Sequence, residues 1–151
     1  VNPIFKKLNF SNQSSVTVLD APPSFADALA EMRAITKVSE EAGSGPVEFA
    51  LAFATTKAQV DAFAEWVANE TEGDAIVWAA YPKGTSKKYR CEFNRDNGWD
   101  RFGQNGFEPV RMIAIDQDWS ALRFRRVTFI KKMTRSFAMT EEGKEKSRSD
   151  G

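Results

Sequence analysis

Between Gly73-Asp74 and Pro82 stands Ala75-Ile-Val-Trp-Ala-Ala-Tyr81, seven apolar residues in succession with no polar alternation. A strand with one wet face alternates in polarity. An unbroken run fits a strand covered on both faces, as in a parallel sheet with helices on each side. The rest of the chain must then supply further strands and two helical layers.

It does so in alternation. Ser15 to Asp20 is short and β-branched and reads as a strand. Pro22 and Pro23 break the chain, and Ser24-Phe-Ala-Asp27 reads as a helix start with Ser24 as N-cap. Phe25, Ala28, Leu29, Met32 and Ile35 follow on one helical face. Ile35 to Val38 offers at most a minor edge strand, and Glu40 to Pro46 is a loop. Val47 to Ala54 is a second main strand. Thr56 and Gln59 form a capping-box pattern ahead of Val60, Phe63, Ala64 and Val67, predicting a helix to about Glu72 closed by Gly73.

After the apolar run comes a lysine-rich loop, Pro82 to Tyr89. A short helix is expected within Asn94 to Asn105, with Trp99 and Phe102 inward and Gly106 past its end. Pro109 to Ile115 and Ser120 to Val127 are strands joined by Asp116-Gln117-Asp118, a connection too short for anything but an antiparallel pair. The expectation is a single α/β domain over residues 1–139, an open Rossmann-like mixed sheet of about five strands. Their expected order is 1-2-3-5-4, the last strand antiparallel, with helices on both faces. Residues 140–151 are almost wholly polar and read as a disordered tail.

Composition excludes whole classes of chemistry. The 151 residues contain no histidine and one cysteine. Histidine-based triads and dyads, the usual zinc clusters and disulfide frameworks are thereby removed. Acid–base work is left to carboxylates, lysines and tyrosines. The 21 basic and 21 acidic side chains cancel, but unevenly: residues 1–82 carry −6, residues 83–135 carry +7 and the remainder −1. The positive segment leaves room for an anion site. No apolar stretch approaches a membrane span, and Val1 to Phe10 lacks the apolar core of a signal peptide. A cytoplasmic protein with no membrane partner is expected.

The order of elements resembles the carboxyl-terminal half of Rossmann-type methyltransferases. There, a helix ending in Gly-Phe leads into the penultimate strand, which pairs with a reversed final one; Gly106-Phe107 before Pro109-Val110 fits. Such a fold implies an S-adenosylmethionine or nucleotide site, which needs glycines after the first strand so that backbone amides can approach the ligand. Here the turn is Leu19-Asp20-Ala21-Pro22-Pro23. Two prolines remove two amide donors and fix the backbone where freedom is required. The expectation is a scaffold with no cofactor. Tyr81-Pro82-Lys83 after the apolar strand, Arg95-Asp96 before Trp99, and Asp116-Gln-Asp-Trp119-Ser-Ala-Leu-Arg-Phe124 are similar to an uncharacterised bacterial family catalogued as domain of unknown function 3052. The likeness covers about Val47 to Val127. It implies the same fold and transfers no catalytic residue.

Ligands of open α/β sheets collect beyond the carboxyl ends of the strands. Lys83, Lys87, Lys88 and Arg95 can face an anion there, with Thr85 and Ser86 offering hydroxyls; a solvated lysine loop is the plainer alternative. Arg123 lies on the strand face opposite Leu122 and Phe124 and calls for a carboxylate, with Asp116 or Asp118 across the hairpin as candidates. Trp119 reads as a plug at the end of the core or as a ligand contact. Cys91 reads as a bystander thiol. The run Arg123, Arg125, Arg126, Lys131, Lys132 and Arg135 either tracks a single nucleic-acid strand or forms the polar side of an edge strand, and the second is favoured. Three functions remain: a non-catalytic binding or regulatory module for a small anion or protein partner, a nucleic-acid binder, and an enzyme using Asp96, Tyr81 or Lys83. The first is favoured.

Overall fold

The computed structural model describes residues 1–94 and 96–130. Their elements run in the order α1 (Pro3–Lys7), β1 (Ser15–Leu19), α2 (Ala26–Arg33), β2 (Lys37–Ser39), β3 (Phe49–Phe53), α3 (Lys57–Glu70), β4 (Ile76–Pro82), α4 (Asp100–Gln104), β5 (Phe107–Ala114) and β6 (Trp119–Arg126). Short 3₁₀ turns cover Pro23–Phe25 and Val127–Phe129.

One sheet unites the strands in the order β2-β1-β3-β4-β6-β5. It has six strands rather than the expected five. The addition is β2, which pairs in parallel with β1 through Lys37 to Ser39 and occupies the edge beyond it. The pairs β1–β3 and β3–β4 are parallel, whereas β6 runs antiparallel to both β4 and β5. Asp116 shapes the turn between β5 and β6. Its Oδ1 accepts from the amides of Asp118 at 2.8 Å and Trp119 at 2.9 Å, an Asx-turn.

The two faces of the sheet are built differently. Phe49, Leu51 and Phe53 of β3, with Trp78 of β4, project toward α1 and α2, where Phe5, Leu8, Leu29 and Met32 complete one core. The opposite residues of β3 are Ala50, Ala52 and Ala54, and they meet Val60, Phe63, Ala64 and Val67 of α3. Large side chains thus fill the first layer, while alanines on the second face admit α3 closely. All seven residues of β4 are buried, as the apolar run required. The second layer ends in an aromatic cluster in which Phe102 stacks on Phe124 with centroids 3.9 Å apart and planes 9° apart.

Local signals were met unevenly. Thr56 and Gln59 form the full capping box of α3, which ends at Glu70, short of the expected Glu72. Ser24 does not cap α2. Pro22 and Pro23 set a 3₁₀ turn instead, in which the Phe25 amide donates to the Pro22 carbonyl at 2.9 Å. The Ser24 hydroxyl reaches Asp116 Oδ2 at 3.4 Å. The described part of the basic run, Arg123, Arg125 and Arg126, does not lie on an edge strand either, because β6 is flanked on both sides and β5 takes the edge. The expected tail, residues 140–151, lies outside the described residues, as do Lys131, Lys132 and Arg135. Among the described residues no helix is long and apolar enough to cross a membrane.

Candidate anion-binding groove

β4 ends at Pro82, opposite Trp119 in the ladder. The chain then turns sharply, and the turn is stapled to the β5–β6 hairpin. The Lys83 amide donates to the Asp118 carbonyl at 2.8 Å, and the Ser86 amide returns to the Lys83 carbonyl at 3.0 Å. Ser86 Oγ donates to Asp118 Oδ1 at 2.8 Å while accepting from the amides of Lys88 at 3.2 Å and Tyr89 at 3.1 Å.

Beside this loop opens a groove of about 760 Å³. Tyr81, Phe93 and Met112 form its apolar part, and Lys83, Thr85, Arg90, Cys91 and Asn94 its rim. The Tyr81 hydroxyl donates to Met112 Sδ at 3.1 Å. Among the described residues two cations, Lys83 and Arg90, line the groove and no carboxylate does. Burial pushes the Cys91 thiol up from its ordinary range, a backbone hydrogen bond from Phe93 works against this, and the charge of Glu92 adds to the rise.

The candidates from the sequence are therefore divided. Lys83 and Thr85 line the groove. Ser86 lines it too, but its hydroxyl is occupied in holding the loop. Lys87 and Lys88 are exposed and stand outside it, with Lys88 Nζ 5.8 Å from the centroid of the Tyr89 ring. Arg95 lies outside the described residues. Arg90 and Cys91 were not singled out for binding, since a polar stretch without periodicity gives no sign of which side chains turn inward.

Trp119 is buried, with Phe53 and Tyr89 rings at 5.1 Å and 4.9 Å. Arg123 does not pair with Asp116 or Asp118. Asp116 is held by the hairpin amides and Asp118 by Ser86, and Arg123 Nη1 donates to Asn9 Oδ1 at 3.3 Å. Among the described residues no group of three His, Cys, Asp or Glu side chains is placed to hold a metal.

The arrangement of strands has solved counterparts. The chain is similar to a SAM-dependent methyltransferase from Aquifex aeolicus, with a TM-score of 0.54 and 11% identity over 82% of this chain and 87% of that one. It is also similar to the pyocyanin biosynthetic protein PhzM, with a TM-score of 0.51 and 14% identity over 82% of this chain and 53% of that one. The Methanococcus jannaschii fibrillarin pre-rRNA processing protein gives a TM-score of 0.50 and 11% identity over 83% and 69%. The fold is methyltransferase-like. At these identities the likeness concerns the fold alone. No family model and no curated protein matches the chain, so the likeness to the uncharacterised bacterial family rests on the quoted residues.

A methyltransferase-like sheet raises the question of S-adenosylmethionine, and the tip of β1 does not fit it. Asp20 takes a left-handed φ of 57°, Pro22 is buried, and Pro23 opens the 3₁₀ turn. Neither proline has an amide to donate. The cavity between the tips of β1 and β3 measures about 180 Å³ and is walled by Asp20, Phe53, Phe63 and Trp66. Ligand pockets run from roughly 300 to 1,000 Å³. Trp66 Nε1 donates to the Gly43 carbonyl at 2.9 Å, holding the 40–46 loop, whose Ala42 lines this cavity.

Proposed function

We propose that this chain is a non-catalytic binding or regulatory module that receives a small anion, or an acidic group of a protein partner, in the groove at the carboxyl end of β4. One contrast carries the reading. The tip of β1, where a methyltransferase-like sheet would place an adenosyl group, offers about 180 Å³, and the turn that follows it carries two prolines. The groove beside Lys83 offers about 760 Å³ and, among the described residues, two cations and no carboxylate. An anion entering it meets positive charge at the rim and apolar surface below, where the lower local dielectric strengthens its attraction to the cations. Tyr81 and Met112 give the site an apolar wall, which favours an anion carrying a hydrocarbon or ring portion over a bare inorganic ion.

The test is a titration of labelled protein with phosphate and with aromatic or aliphatic carboxylates, followed through the backbone amides. Saturable shifts at Lys83, Thr85 and Arg90, lost together in Lys83→Ala/Arg90→Ala, are expected. Flat titrations at millimolar concentrations of every anion would remove the anion reading and leave a partner-binding role.

A degenerate methyltransferase-like enzyme is the second reading, favoured by the similarity of the sheet to that of the Aquifex aeolicus protein. It requires S-adenosylmethionine to bind somewhere other than the small cavity at the tip of β1.

A further inference from the structure

A second cationic site lies on the other face of the sheet. Arg111 and Arg123 are direct partners across the β5–β6 ladder. Nη1 of each donates to the same oxygen, Asn9 Oδ1, and both distances are 3.3 Å. Asn9 follows α1 with a left-handed φ of 68°, its amide bound to the Lys6 carbonyl at 3.1 Å. Asparagine tolerates that conformation better than most residues.

Two guanidiniums therefore converge on one neutral oxygen, and like charges brought together attract a compensating anion. Among the described residues no carboxylate pairs with either. Asp74, the acid whose charge acts on Arg123, is engaged by Arg125 through Nε at 2.9 Å and Nη2 at 2.6 Å. Burial and the charges of Arg125 and Arg111 lower the Arg123 pKa, against a raising contribution from Asp74. With Nη1 of Arg123 committed to Asn9, its Nε–Nη2 edge is left, and Nε is buried with no hydrogen-bond partner. That edge is the one that meets a carboxylate or phosphate with two parallel hydrogen bonds.

Arg123 lines a cavity of about 710 Å³ at the amino ends of β3 and β4. Its other charged members set limits on the occupant. Asp74 is neutralised by Arg125, and Glu48 accepts from the Ser14 amide at 3.0 Å. Glu72 remains exposed on the wall. Neither Arg111 nor Asn9 is among the residues that line the cavity, and a polyanion spread through it would meet these carboxylates.

We propose that Arg111 and Arg123, drawn together on Asn9, form an oxyanion site that takes the phosphate or carboxylate of a small ligand. The site is separate from the groove beside Lys83 and does not rest on it. The probe is inorganic phosphate at constant ionic strength, followed through the side-chain Nε–H signals of both arginines and the Asn9 amide. Saturable shifts are expected in the native chain. Arg111 is exposed, so Arg111→Gln removes a charge without disturbing a core, and should weaken phosphate binding by about tenfold. Arg123→Lys keeps the charge, removes the planar fork and should weaken binding to a similar extent. Amides of the Lys83 loop serve as the internal control and should behave as in the native chain. Shifts that fail to saturate, or that persist unchanged in Arg111→Gln, overturn the site. So does binding of a single-stranded oligonucleotide with no response to phosphate, which would return the arginines to a nucleic-acid surface.

Discussion

Ser86 and Asp118 are joined side chain to side chain at 2.8 Å, and through this bond the loop after β4 is fastened to the β5–β6 turn. The same hydroxyl accepts from two amides of its own loop. Ser86→Ala should therefore cost about 1–2 kcal/mol in urea unfolding. Amide exchange should speed up at Lys88 and Tyr89 before it changes in β4. If the loop serves the groove, anion affinity falls in this variant although no charge has been removed.

Trp78 offers a second long-range tie. Its indole N–H donates to the Leu8 carbonyl at 2.8 Å in a fully buried setting, holding the segment after α1 against the sheet. Trp78→Phe leaves that carbonyl without its donor and also leaves a void. The expected loss is about 2–4 kcal/mol by denaturant titration, with the exchange protection of Leu8 and Phe10 falling most.

At Thr56 the expected effect is smaller and local. Its hydroxyl accepts from the Gln59 amide at 3.2 Å as one half of the capping box. Thr56→Ala should lower stability by about 1 kcal/mol, and Thr56→Ser should restore most of it.

Cys91 allows a pH test. Burial favours the neutral thiol, so its pKa in the folded chain lies above that of the unfolded chain. Alkylation proceeds through the thiolate. The rate against pH should have its midpoint at higher pH in the native protein than in denaturant, and a native midpoint at or below the denatured one would contradict this. The contribution of the neutral thiol to stability is present below the unfolded pKa and is lost as pH rises through the folded one.

What could be read from the sequence follows from how local each signal was. The apolar run of β4 and the Thr56–Gln59 box announce themselves within a few residues, and both elements stand where they were expected. α1 spans five residues, too few to show a period, and its sign was the Asn2 cap before Pro3, whose Oδ1 accepts from the Ile4 amide at 2.9 Å. β2 is three residues long and is defined by its pairing with β1 alone. Ser24 had the spacing of a cap, but the prolines before it imposed a 3₁₀ turn first. Arg123 was expected to pair with a carboxylate, Asp116 or Asp118, and its hydrogen bond goes instead to a neutral side-chain oxygen. That acceptor, Asn9, lies 114 residues away, where no local pattern could point. The groove shows the same limit: Lys83 was marked by its place after β4, whereas Arg90 is brought to it by an irregular loop.

We propose that this Rossmann-like sheet lacks an adenosyl site and binds anions elsewhere. Calorimetric titration of the native chain with S-adenosylmethionine, beside a parallel titration with anions, tests it most directly. The account predicts no saturable heat from S-adenosylmethionine at millimolar concentration and a saturable anion response that disappears in Lys83→Ala/Arg90→Ala. Saturable S-adenosylmethionine binding that perturbs the amides of Asp20 and Ala21 would contradict it.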